Sequence, residues 1–181
     1  MVDDKYILKG NAAKRYFEFL DILNEFDKLF TFNEKDDRNI VIMGSSFLEM
    51  ALYHVLRAFL PEDDNEVEKL FNSGNGALAT FSSKISMVYA LGLMDKIVKD
   101  DLHLIRKIRN EFAHNLVVSF DDKKIADWCK SLKWHRVAMF REPPPDATNR
   151  DFFQVGVHQI IAHLHGCISI ARGDKRNILN S

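Results

Sequence analysis

Apolar residues recur at three- and four-residue spacing through almost all of this chain, and proline, which would interrupt that pattern, occurs only four times. Three of the four stand together at positions 143–145. Alternating apolar and polar runs bounded by turn residues are few, so the pattern leaves little room for strands. The spacing predicts an all-α fold, a bundle of about six to eight helices forming one domain over residues 1–181. Apolar residues make up 46% of the chain and charged residues 28%, enough to build a core without disulfides or metal.

The first helix is predicted over Ala12 to Phe30, where Tyr16, Phe19, Leu20, Leu23, Phe26 and Phe30 share a stripe. A second, Asp37 to Leu60, carries Val41, Leu48, Leu52, Val55 and Phe59, and Ile42, Met43, Phe47 and Met50 make its other faces apolar as well. It reads as the central helix, ended by Pro61, with Gly44-Ser45-Ser46 letting a neighbour approach closely. Shorter helices follow at Asn65 to Phe71, Ser82 to Leu91, Asp100 or Asp101 to Asn115, and Asp121-Asp122 to Leu132. Asn72-Ser73-Gly74-Asn75-Gly76 reads as a turn, lacking the Lys-Ser/Thr ending and preceding strand of a phosphate loop. Trp134 to Phe140 is ambiguous and could be extended. A proline-rich loop at 143–149 precedes a last helix, Asn149 to Ala171, with Phe152, Val155, Ile160 and Leu164 as core candidates.

The formal net charge is −1, whereas DNA-binding modules draw most of their affinity from a basic excess that neutralises phosphates. Cys129 and Cys167 form no CxxC pair and read as two core-facing free thiols in a reducing compartment. No run of 18 apolar residues and no signal-peptide pattern is seen, so the expected location is the cytoplasm.

The most informative segment runs from Asp100 to Asn115. Wound at about 100° per residue, it gathers Leu104, Ile105, Ile108, Phe112 and Leu116 on an apolar arc and His103, Lys107, Asn110 and His114 on the polar face. Arg109 falls at the margin of the arc, so its guanidinium needs a partner, for which Glu49 is one candidate.

Asp37-Arg38, Leu70-Phe71, the run Leu78 to Ile85, Tyr89 to Leu93, Asp101-Leu102 and the run Ile105 to His114 together resemble, in the right order, the mannitol operon repressor family. The resemblance is best over residues 37–116. It implies a helical cytoplasmic regulator of sugar phosphotransferase operons that acts through a protein partner rather than by binding DNA directly. No helix-turn-helix or zinc-finger spacing speaks against that. A second, looser similarity is to HEPN domains, through Arg109-Asn110 and His114. It implies the alternative of a ribonuclease in which His114 serves as general acid or base and Arg109 stabilises charge on the scissile phosphate.

The candidate partner or ligand site is therefore Arg106, Arg109, Asn110 and His114, set against the simpler reading in which these residues only pair with neighbours and cap the helix end. His158 and His165, seven apart, share a face of the last helix while His163 points elsewhere, and the spacing suits no helical zinc site. No metal or cofactor is expected, and no enzyme activity. Trp128 and Trp134 finish a core or mark an interface. Asp101 and His103 read as solvated, and Arg172 to Arg176 as a frayed basic tail. The aromatic first helix carries more apolar surface than one bundle covers, which points to a homodimer.

Overall fold

The computed structural model describes residues 10–31, 36–139 and 144–175. Over these run eight helices and no strand: α1 (Gly10–Leu29), α2 (Asp37–Phe59), α3 (Asp64–Lys69), α4 (Phe81–Ala90), α5 (Lys96–His114), α6 (Lys123–Lys130), α7 (Trp134–Met139) and α8 (Asn149–Gly173). The all-α class is borne out. Local chemistry sets several of the starts. Asp36 accepts from the N–H groups of Arg38 and Asn39 at 2.8 and 3.2 Å, satisfying donors the first turn leaves open. Thr80 with Ser83 and Thr148 with Asp151 close reciprocal capping boxes at α4 and α8.

α2 is the central element, packed by α8, α5, α4 and α1. Ile40, Val41, Leu48, Leu52, Val55 and Leu56 on it are all fully buried. By length and composition α2 could cross a membrane, but half of its apolar window is buried within this fold, as befits a core helix. Gly44 permits the close approach the sequence suggests: a Cβ there would lie 2.9 Å from the Phe30 ring and 3.3 Å from Val157. Gly76 is tighter still, because its Cβ would meet the Leu70 carbonyl oxygen at 2.3 Å. Backbone cannot yield as a side chain can, so Gly76→Ala is expected to cost about 1–3 kcal/mol in a urea melt. A change within experimental error would show that the 72–76 turn relaxes freely.

α1 is held to the bundle by aromatic rings packed against histidines. Phe19 meets His54 at 4.8 Å, Phe26 and Phe30 meet His158 at 5.1 and 5.0 Å, and Tyr16 stacks on His165 at 6.2 Å. His158 and His165 thus share the face the spacing predicts, while His163 turns to Trp134, at 4.5 Å, and to Cys167 Sγ. Both cysteines are buried and free, as expected. Burial pushes their thiols up, to about 12 for Cys129 and about 11 for Cys167, so both stay protonated and unreactive at neutral pH.

Several expectations need correction. α5 begins at Lys96, before Asp100, because Asp95 takes the N-cap position. Asp101 is not solvated: it is 2% exposed and accepts from the N–H groups of Lys133 at 2.9 Å and Trp134 at 2.7 Å. Those bonds supply a carboxylate to the start of α7, which makes Trp134–Met139 a helix rather than the extended stretch the sequence left open; Phe140 lies outside the described residues. Asp122 does stand at the N-cap of α6, but its side chain accepts from Ser119 N–H instead of capping the helix. In α8 the core falls on Phe153 and Val157, with Phe152 and Val155 only half-buried, whereas Ile160 and Leu164 are buried as predicted. The basic end is not frayed up to Lys175. Arg172 lies 4.1 Å from the Tyr16 ring centre, and Lys175 pairs with Glu62. Arg176 lies outside the described residues.

Candidate functional site

The C-terminal turn of α5 is where the residues singled out by sequence collect. Its last carbonyls have no helical partners, and a side chain distant in sequence supplies them. Arg38, from the first turn of α2, donates to the carbonyl oxygens of Phe112, of Asn115 at 2.7 Å and of Leu116 at 3.1 Å. Its neighbour Asp37 pairs with Arg150 of α8 at 3.1 Å. The Asp37-Arg38 pair therefore braces the end of α5 and the start of α8 against the start of α2. The simpler sequence reading, in which Asn110 and His114 cap the helix, is not what the structure shows. Asn115 instead closes the turn, its amide donating to Glu111 at 2.9 Å, and Glu111 also pairs with Lys124 of α6.

Beyond this clamp the chain turns outward. Leu116 is 93% exposed and Val117 is 96% exposed. The sequence places Leu116 on the buried arc, but α5 stops at His114, so Leu116 leaves the helical register before it can reach the core. Each branched side chain left in water forgoes about 1.5–3 kcal/mol of burial. Arg38 nevertheless fixes the backbone that carries them. A signal existed in the sequence: Asn115 followed by Leu116-Val117-Val118 is a helix stop leading into a β-branched run.

The four candidate residues all lie on α5. Arg109 is half-buried, and its guanidinium makes a long contact of 3.5 Å to Asn110 Oδ1. Glu49, the candidate partner for Arg109, pairs instead with Lys84, at 2.7 Å. Arg106 is half-buried, and its Nε is shielded from water without a hydrogen-bond partner among the described residues. His114 is exposed. Five residues separate Arg109 from His114, which turns their side chains about 140° apart around the helix.

The outer face of α5 is positive. His103, flanked by Lys99, Arg106 and Lys107, is held below the usual imidazole range by burial and then by the charges of Arg106, Lys99 and Lys107, against the pull of Asp100. Across the helix, Lys107 and Lys124 lie over the Trp128 ring, at 5.9 and 4.9 Å from its centre. Trp128 and Trp134 are half-buried against the core, and the Trp134 indole N–H donates to the Gln159 carbonyl at 3.2 Å. Among the described residues, no group of three or more His, Cys, Asp or Glu side chains is arranged to hold a metal ion.

What the geometry defines is a helical scaffold with a braced, apolar-tipped helix end. A family model described as mannitol repressor matches residues 18–164, and the chain belongs to that family. The search of curated proteins finds no match. Among solved structures, a chain of the X-ray structure of the MtlR–HPr complex from Escherichia coli is similar at 21% identity and a TM-score of 0.53. The alignment covers 89% of this chain and 99% of that one, and the likeness is one of fold.

Proposed function

We propose that this chain regulates a mannitol-type sugar operon from the cytoplasm by docking onto a protein of the sugar phosphotransferase system. The partner suggested by the structural relative is HPr. The observation that carries this reading is the exposed Leu116–Val117 pair, held on a backbone that Arg38 has already ordered. A preordered apolar tip loses little entropy on docking, and the adjoining Arg106, Arg109, Asn110 and His114 offer polar contacts around it. The reading has no catalytic step, since Arg109 and His114 point apart. It has no direct operator contact either, in keeping with a net charge of −1. A homodimer belongs to the same reading, supported by Phe17 and Leu29 of α1, which are 61% and 51% exposed.

The test is titration calorimetry of the purified chain with HPr from the same cells. Wild type is expected to bind, and Leu116→Asp and Val117→Asp to lose at least about tenfold in affinity with unchanged circular dichroism, an effect of about 1.4 kcal/mol. Arg38→Ala is expected to weaken binding as well, by releasing the loop. The reading fails if wild type ignores HPr while shifting its own promoter DNA in a salt-dependent manner.

A further inference from the structure

On the other side of α2 an open cleft of about 390 Å³ lies between α2, α3 and α4. Its floor is one face of α2, with Ser46, Glu49, Met50 and Tyr53 at helical spacing, and its walls are Glu68, Phe71 and Lys84. One ion pair lines it, and a second joins the lining residue Glu68 to Arg57, which lies buried outside the lining. Lys84, 7% exposed, donates to Glu49 at 2.7 Å, and Arg57, 1% exposed, lies 3.1 Å through Nε from Glu68. Tyr53 donates its hydroxyl to the same Glu68 oxygen at 2.9 Å. Burial, followed by the bond to Glu68, pushes the Tyr53 phenol up to about 12, so it remains a donor at neutral pH.

The cleft holds two carboxylates and one ammonium, and the second carboxylate, Glu68, is balanced by the buried Arg57 guanidinium beside it. A strongly charged ligand would have to displace a partly buried partner, which is costly. What remains open is hydrogen-bond acceptance. The bonds named above reach each carboxylate through Oε1, so among the described residues each carboxylate keeps lone pairs that can accept from a ligand. Ser46, whose hydroxyl donates to the Ile42 carbonyl at 2.8 Å, keeps its lone pairs. Beside these acceptors stand the Met50 side chain and the Phe71 and Tyr53 rings, packed edge to face at 4.8 Å, which suit C–H surface. Vicinal hydroxyls on a carbon backbone match both halves.

We propose that the α2–α3–α4 cleft binds a small, neutral, polyhydroxylated ligand, a polyol or sugar. The cleft volume falls within the range of small-molecule sites. This goes beyond the docking reading and stands without it, since the HPr titration and the ligand titration use different surfaces and fail separately.

The experiment is a nitrogen–proton NMR titration of the full chain with D-mannitol, with a methyl pyranoside, with mannitol 1-phosphate and with hexylamine. The two neutral probes separate linear from cyclic ligands, and the charged ones test the cancellation. Amides of residues 46–53, 68–71 and 84 are expected to shift with at least one neutral probe, saturating at Kd values of about 1 mM or below. The anionic and cationic probes are expected to bind at least about tenfold more weakly. Ser46→Phe, at an exposed position on the rim, and Met50→Trp, which leaves both ion pairs in place, are each expected to abolish the shifts while the melting temperature is retained. The proposal is overturned if neither neutral probe shifts these amides at up to about 100 mM. It is equally overturned if a charged probe binds more tightly than the neutral ones, or if the shifts survive in a folded Ser46→Phe or Met50→Trp protein.

Discussion

Acidifying the protein from neutral pH to about 4 is expected to remove about 3 kcal/mol of stability through His54 alone. His54 is 8% exposed on the inner side of α2, against the Phe19 and Tyr53 rings. Burial, then the charges of Arg15 from α1 and Arg172 from α8, lower its pKa from 6.5 to about 4. The folded state therefore resists a proton that the unfolded chain accepts. For a base with a depressed folded pKa, stability is fully present above 6.5, falls as pH drops through the interval, and is lost below about 4. Glu62, bonded to Lys175 and Arg15, is also held below its ordinary value, so its contribution is lost later, as pH falls through the usual carboxylate range and below. The two losses separate by variant. Urea melts across the window should show wild type declining steeply and His54→Gln, which lacks that imidazole, declining less, its remaining loss coming from His103 and His163, which burial also holds below the usual range. Parallel decline of both proteins between 6.5 and 4 would remove His54 from the account. α1 is the element at risk, because His54 is one of the histidines on which its aromatic residues rest.

Replacing Asp101 with alanine is expected to cost about 3 kcal/mol, or roughly 6–12 °C in melting temperature for a domain of this size. The carboxylate accepts from two consecutive backbone N–H groups at the start of α7, and with it gone those donors lose their partner. Hydrogen bonds to a charged acceptor are among the stronger ones. Burial pushes the Asp101 carboxyl above its ordinary range, against the pull of the Trp134 and Lys133 N–H groups. A neutral acceptor escapes that cost, so Asp101→Asn should retain most of the stability and fall within about 1 kcal/mol of wild type. Equal losses in the two variants would mean that charge, rather than acceptance, anchors α7.

Helix content was legible in the sequence because it is a local property. The spacing of Val41, Leu48, Leu52 and Val55 and the stop at Pro61 act within a few residues of the helix they set, whereas the caps at Asp36, Thr80 and Thr148, though local too, went unread in the sequence. The shared face of His158 and His165 followed from the same arithmetic. The family resemblance was legible on a different ground, residue identity at matched positions. The candidate residues fell on α5, where the periodicity puts them, but their partners did not follow from it. Glu49 chose Lys84 over Arg109, Asp101 became the cap of a helix 32 residues away, and Arg38 reached across 74 residues to close α5. Each choice depends on which polar groups the packing of α2, α4, α5 and α7 brings within hydrogen-bond distance, and periodicity carries no such information. Leu116 shows the same limit from the apolar side. By sequence, Leu116 and Phe112 stand one turn apart on a single stripe, yet Phe112 is fully buried and Leu116 almost fully exposed. What separates them is the end of a helix and the absence of a neighbouring element beyond it, and only the tertiary arrangement decides both.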